Sequence, residues 1–282
     1  MEFQTLIGVD SLQGLLARPR VAVVDCRFEL MNPDAGREAY LAGHIPGARY
    51  ADLNRDLSGS IGAHTGRHPL PAPEAFARRL GELGIGNGTQ VVAYDDAGGS
   101  FAARLWWMLR WVGHCAVAVL DGGLPAWTAQ GGALQRGSSV FPSERFTPRI
   151  DAHAVLSSAE IERALEASAI LLIDARSPER FAGRVEPIDP VAGHIPGAVN
   201  HPLTANLGAD RRFLPPAELE ARWRECLAGR RAESVVAMCG SGVTACHNLL
   251  SLTVAGLPGG KLYAGSWSEW IRDPRRPVAR DP

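Results

Sequence analysis

Neither sign of charge is in excess in this chain: 29 Lys and Arg residues stand against 30 Asp and Glu. Without a basic stripe it has no electrostatic footprint for nucleic acid, and no nucleic-acid partner is expected. Long hydrophobic runs are missing too. The longest, such as Cys115 to Leu120, fall far short of the about 20 residues a membrane span needs, so no membrane partner is expected. Glu2 and Asp10 lie where a secretory signal wants a basic start and an unbroken apolar run, so export by that route is not expected. The five cysteines, Cys26, Cys115, Cys226, Cys239 and Cys246, contain no C-x-x-C pair, which argues against a disulfide framework, a zinc site and thioredoxin-like redox chemistry. No G-x-G-x-x-G appears either, and no metal or organic cofactor is implied. A reducing cytoplasm is the expected compartment, where a free thiol can do chemistry.

What is present is a repeat of half the chain length. Val23-Val24-Asp25-Cys26-Arg27 returns as Leu172-Ile173-Asp174-Ala175-Arg176, and Gly43-His44-Ile45-Pro46-Gly47-Ala48 returns unchanged at 193–198. Val91 to Tyr94 returns as Val235 to Met238, and Gly122-Gly123 with Trp127 returns as Gly265-Ser266 with Trp270. Each half alternates short β-branched runs (Val21 to Val24, Val91 to Tyr94, Val117 to Leu120; Ile170 to Ile173, Val235 to Met238) with helical patterns such as Pro73 to Leu83 and Leu105 to Trp111. Continuous hydrophobicity in the runs predicts strands buried on both faces of a parallel sheet. The fold class is therefore α/β, in two domains. The aperiodic stretch from Gly131 to Pro148, rich in Gly, Ser and Pro, reads as the linker and puts the domains at 1–145 and 146–282.

Duplication separates scaffold from function, because a feature kept in both halves is scaffold first. By that test Asp25/Arg27 and Asp174/Arg176 are structural ion pairs, and His44 and His194 are turn residues. The halves diverge after the matched strand: Tyr94 is followed by Asp95-Asp96-Ala97-Gly98-Gly99-Ser100, Met238 by Cys239-Gly240-Ser241-Gly242-Val243-Thr244. Asp95 thus stands where Cys239 does. An apolar strand, a loop with two glycines and a helix starting near Val243 make an anion cradle, in which glycines turn successive N–H groups inward. A cysteine at its mouth has its thiolate stabilised by those groups and by the helix N-terminus, which marks Cys239 as a nucleophile. Cys115 and Cys226 read instead as buried core cysteines.

The loop Cys-Gly-Ser-Gly-Val-Thr at 239–244, the two Gly-His-Ile-Pro-Gly-Ala segments, Asp-Gly-Gly-Leu at 121–124 and Tyr-Ala-Gly-Ser-Trp-Ser-Glu-Trp at 263–270 together resemble the tandem rhodanese family, and the loop resembles its 3-mercaptopyruvate sulfurtransferase branch. The resemblance implies two rhodanese-like domains, each a mostly parallel sheet flanked by helices, the first inactive and the second catalytic. It implies sulfur transfer from 3-mercaptopyruvate, through a Cys239 persulfide, to a thiol or cyanide acceptor, with a thioredoxin-like protein among the possible acceptors. Gly240, Gly242, Val243 and Thr244 would line the donor site. Ser241 matches a serine that relays protons at the reacting sulfur, its alternative being a small loop or capping residue. Arg180 matches the arginine that grips the donor carboxylate. Its counterpart in the first half is about Met31, with Arg37 nearby. A second arginine of the animal members is missing before Gly193, and Arg184 is the candidate to replace it. His68 matches a histidine near the catalytic loop. Asn54 stands where some relatives place an acid, so a relay would have to use His68 or Asp56.

The thiosulfate-preferring branch differs in that two cations follow its cysteine, where this chain has Gly240 and Ser241; a monoanionic 2-oxo acid fits better than a dianion. A cysteine phosphatase needs C-x5-R, and position 245 is Ala245. Thiosulfate sulfurtransfer and a persulfide carrier or sensor without turnover both stay open at this level.

Overall fold

The computed structural model describes residues 2–281. It divides into two compact units, and the division is not a single cut in the sequence. Among the described residues the first comprises 2–59, Leu70–Asp151 and Gly208–Phe213; the second comprises Ser60–Pro69, Ala152–Leu207 and 214–281.

In the first unit the chain runs β1 (Leu6–Ile7), α1 (Val9–Leu16), β2 (Val21–Asp25), α2 (Ala35–Ala42), β3 (Arg49–Tyr50), α3 (Pro73–Glu82), β4 (Gln90–Tyr94), α4 (Ala102–Trp111), β5 (Val117–Leu120) and α5 (Gly123–Ala129). Its sheet has the order β1-β5-β4-β2-β3, and every pairing is parallel. In the second unit it runs α6 (Ser158–Glu166), β6 (Leu171–Asp174), α7 (Pro178–Phe181), β7 (Val199–Asn200), α8 (Pro216–Leu227), β8 (Val235–Met238), α9 (Ala245–Val254), β9 (Lys261–Leu262) and α10 (Ser266–Trp270). The sheet order there is β7-β6-β8-β9, again all parallel. Register repeats with the sequence: Val23 faces Val92 in one unit as Leu172 faces Val236 in the other.

The predicted strands become buried sheet centres because their apolar residues meet helices on both faces. Cores form around Leu12, Val92, Leu120 and Trp127 in the first unit, and around Ile161, Val236, Met238 and Trp267 in the second. Proline opens α3 and α8, where its missing N–H costs nothing, and a reciprocal Ser157–Glu160 capping box opens α6. α4 begins three residues before the expected Leu105, because Ala102, Ala103 and Arg104 are all buried and leave no amphipathic period to read.

Both expected ion pairs are present with the same geometry. Arg27 meets Asp25 at 2.6 Å and donates to the Gly43 carbonyl at 2.7 Å; Arg176 meets Asp174 at 2.7 Å and donates to the Gly193 carbonyl at 2.8 Å. His44 and His194 bond through Nδ1 to the carbonyls of Tyr40 and Phe181 and stack on those same rings, which makes them turn anchors. The expectation for the cysteines needs correction. Cys115 is exposed and Cys226 partly so, because Cys115 precedes its strand and Cys226 lies on the last turn of an amphipathic helix; Cys26, Cys239 and Cys246 are the buried ones.

A polar network buried in the second unit supports α9. The Asn206 side chain uses all four of its hydrogen-bonding positions. Its Oδ1 meets His201 Nε2 at 3.0 Å and accepts from Ser251 Oγ at 2.9 Å, while its Nδ2 donates to Asn248 Oδ1 at 2.7 Å and meets His247 Nδ1 at 3.2 Å.

Candidate functional site

Cys239 follows directly on β8, whose four residues are all buried. Its backbone is fixed at both ends: the N–H donates to Ser266 Oγ at 3.0 Å, and the carbonyl accepts from Trp267 N–H at 3.0 Å. Gly240 carbonyl accepts from Ser268 N–H at 2.9 Å. Ser266 holds this position with φ of 53°, a left-handed angle unusual for a residue with a side chain, and its hydroxyl also donates to the Tyr263 carbonyl at 2.9 Å.

From Cys239 the chain turns sharply through Gly242, with φ of 77°. A Cβ on Gly242 would run into the Ala264 carbonyl oxygen, so both the angle and the space demand glycine. α9 starts at Ala245, two residues after the predicted start, because Ser241 to Val243 are spent on the turn. The N–H groups of Gly240, Ser241, Val243 and Thr244 have no acceptor among the described residues. A short glycine turn with unsatisfied N–H groups before a helix N-terminus can hold a negative charge on or near sulfur.

The corresponding loop of the first unit holds its own anion. Asp95 Oδ1 accepts from the N–H groups of Ala97 at 2.8 Å and Gly99 at 2.9 Å, and Oδ2 from those of Phe101 at 2.8 Å and Ala102 at 2.9 Å. One loop architecture thus carries a thiol in one unit and a tethered carboxylate in the other.

Ser241 and His68 come together, with Ser241 Oγ 2.7 Å from His68 Nδ1 and both residues buried. His68 reaches this place because residues 60–69 belong to the second unit. Asn54 and Asp56 belong to the first unit, and the Asp56 carboxylate is committed to Arg79 at 2.8 Å and to the Asp52 N–H at 2.8 Å.

Arg180 stands on α7, opened by a Ser177 cap, and its guanidinium is 3.6 Å from where a Gly240 Cβ would be. It pairs with Glu186 at 2.8 Å and Asp189 at 3.2 Å. The second guanidinium at Gly240 is that of Arg67, with Nη2 2.9 Å from the same Cβ position; it pairs with Asp189. Arg184, the candidate for that place, is exposed. Positions 240 and 241 themselves carry no cation, and two arginines brought from outside the loop, the expected Arg180 and also Arg67, face it.

Alternating charges run from this point back to the scaffold. Arg67, Asp189, Arg180, Glu186, Arg176 and Asp174 pair in sequence, three cations against three anions. Burial raises the Asp189 carboxyl above its ordinary range, against the pull of Arg67 and Arg180. Burial acts the same way on Glu186, but the hydrogen bonds from Arg180 and from the Asp189 and Ile188 N–H groups outweigh it and hold that carboxyl low. Elsewhere burial pushes the Cys226 thiol up to about 11 and the Cys26 thiol well above its ordinary range, so neither is primed as a nucleophile. Among the described residues no group of three or more His, Cys, Asp or Glu side chains is placed to hold a metal ion.

Sequence reasoning missed Arg67, Ser266, Glu186 and Asp189. Adjacency to His68 was the one available signal for Arg67. Ser266 is marked only by a backbone angle, and the two carboxylates only by spatial pairing.

The model of the rhodanese-like domain matches residues 8–130 and 157–273. A probable 3-mercaptopyruvate sulfurtransferase of Pseudomonas aeruginosa is 50% identical over 281 residues, covering 99% of each chain. A putative thiosulfate sulfurtransferase, SseB, of Mycobacterium tuberculosis is 40% identical, covering 98% of this chain and 97% of its own. Among solved structures, SseA of Escherichia coli, a 3-mercaptopyruvate sulfotransferase, superposes with a TM-score of 0.81 at 33% identity, covering 94% of this chain and all of its own.

Proposed function

The chain belongs to the rhodanese-like family, and from that premise we propose that it is a sulfurtransferase moving sulfane sulfur from 3-mercaptopyruvate to a thiol or cyanide acceptor through a persulfide on Cys239. The observation that carries this reading is a buried cysteine that opens a glycine turn whose N–H groups lack acceptors, with Ser241 of that turn bonded to His68 and two guanidiniums at Gly240.

In the first half-reaction the Cys239 thiolate attacks the donor sulfur. The donor's C–S bond breaks, its electron pair goes to carbon, and the enolate that leaves takes a proton to become pyruvate. Ser241, hydrogen-bonded to His68, is the group next to Cys239 suited to pass that proton. The loop N–H groups stabilise the negative charge of the Cys239 persulfide. In the second half-reaction an acceptor thiolate or cyanide attacks the outer sulfur, and the Cys239 thiolate is released. The first unit, with Asp95 in the nucleophile's position, is catalytically silent in this scheme. A thioredoxin-like protein is a candidate acceptor, and a reducing cytoplasm suits a thiol that must be regenerated. Among the described residues no helix is long and apolar enough to cross a membrane.

Donor treatment is expected to add one sulfur atom to the Cys239 peptide by mass spectrometry, and Cys239→Ser to abolish transfer. Sulfur on Cys246 with Cys239 unmodified would overturn the proposal. Steady-state turnover with a small thiol distinguishes an enzyme from a single-loading carrier.

Thiosulfate as donor is the second reading, favoured by the two arginines facing Gly240 and by the name of the M. tuberculosis relative. Against it, Arg67 and Arg180 are balanced by Asp189 and Glu186, which leaves no surplus of positive charge for a dianion. The ratio of kcat/KM for the two donors decides between them.

A further inference from the structure

We propose that Arg67 is a donor-binding residue, whose guanidinium joins that of Arg180 in taking the carboxylate of the 2-oxo acid; the inference rests on the function proposed above and names a residue of that same site. The two guanidiniums share the space over Gly240, the residue after the nucleophile, at 2.9 Å and 3.6 Å from its Cβ position. Gly240 does not have a positive φ, so its backbone does not require glycine; the absence of a side chain is what leaves the guanidiniums open to the loop. A carboxylate placed there would lie beside the reacting sulfur, as the carboxylate of a three-carbon 2-oxo acid must.

Arg67 is held in place. Its N–H donates to Ser268 Oγ at 3.1 Å, and the preceding Gly66 packs so closely that a Cβ would run into the Gly265 carbonyl oxygen. Nη1 is taken by Asp189, whereas Nε is buried without an acceptor. Arg180 donates through Nε and Nη2 to Glu186 and Asp189, which leaves its Nη1 without an acceptor among the described residues. Asp189, shared by both arginines, is the counter-charge that lets two guanidiniums lie side by side. Their remaining donors form the planar fork geometry that matches a carboxylate.

Three measurements on Arg67→Gln and Arg67→Lys test this: kcat/KM for 3-mercaptopyruvate, the concentration of pyruvate that protects Cys239 from iodoacetamide, and loading of Cys239 from inorganic polysulfide, a donor with no carboxylate. Arg67→Gln is expected to lower donor kcat/KM roughly 10- to 150-fold, mainly through KM, the size of one charge-assisted contact. Pyruvate protection should shift to correspondingly higher concentration, Arg67→Lys should lie between, and polysulfide loading should fall far less. Unchanged donor kinetics and pyruvate protection in Arg67→Gln overturn the inference and leave the function standing, as does an equal loss with both donors. A wild-type protein that does not turn over 3-mercaptopyruvate, but whose pyruvate protection depends on Arg67, overturns the function and leaves the carboxylate site standing.

Discussion

Gly240 and Gly242 look alike in the loop but are glycines for different reasons, and substitution separates them. Gly242→Ala must adopt φ near 77° and displace the Ala264 carbonyl, so it is expected to cost at least about 2 kcal/mol in urea denaturation and to abolish sulfur loading of Cys239. Gly240→Ala meets only the ends of two arginine side chains, so it should cost under about 1 kcal/mol while lowering donor kcat/KM. The Ser241–His68 contact makes a second residue-scale prediction. Ser241→Ala and His68→Asn should each slow the donor half-reaction by about 10²-fold, and the double variant should fall little further than the worse single one, as members of one relay do. Independent losses that multiply would show that the two do not act together. Cys239 could be singled out from the sequence as the candidate nucleophile because the two halves differ there. The place of Arg67 beside Gly240 could not be read, because it depends on what folding brings together.

At the scale of elements, α9 carries the Cys239 loop on its N-terminus and a buried polar face in its first two turns. His247, Asn248 and Ser251 meet Asn206, which ends a short 3-10 helix (Leu203–Asn206) more than forty residues earlier. Replacing Asn206 by Leu leaves these buried groups without partners, and is expected to cost about 2 to 4 kcal/mol in chemical denaturation. It should also lower the rate of sulfur loading, since the helix that anchors the cradle loses its support. Strands were legible as continuous apolar runs, and amphipathic helices by the period that burial on one face imposes. This network was not, because it breaks the period: polar residues fill core positions where each satisfies the others.

For the molecule as a whole, duplication in the sequence foretold two mostly parallel sheets and repeated ion pairs; that every pairing is parallel and that the register matches came only with the structure. Segments 60–69 and 208–213, aperiodic loops, gave no sign of the unit each would join. Acid stability also belongs to this scale. Burial lowers the imidazole pKa of His114 in one unit and of His201 in the other. Below the unfolded value of about 6.5 the unfolded chain binds more protons at these sites, so the stability they confer is present above that pH and is lost as pH falls. Asp121 and Asp189, raised by burial, act in the opposite sense nearer the carboxylate range. Urea midpoints should therefore drop as pH falls below about 6.5, and His114→Leu should flatten that slope. The Asp95 loop has a further consequence. A carboxylate attached to its own receptor sits at an effective concentration that no dissolved anion matches, so that loop is self-inhibited by a ligand that cannot be dialysed away. Two copies of the same receptor then count as one: sulfur loading should saturate at a stoichiometry of one per chain, however large the excess of donor.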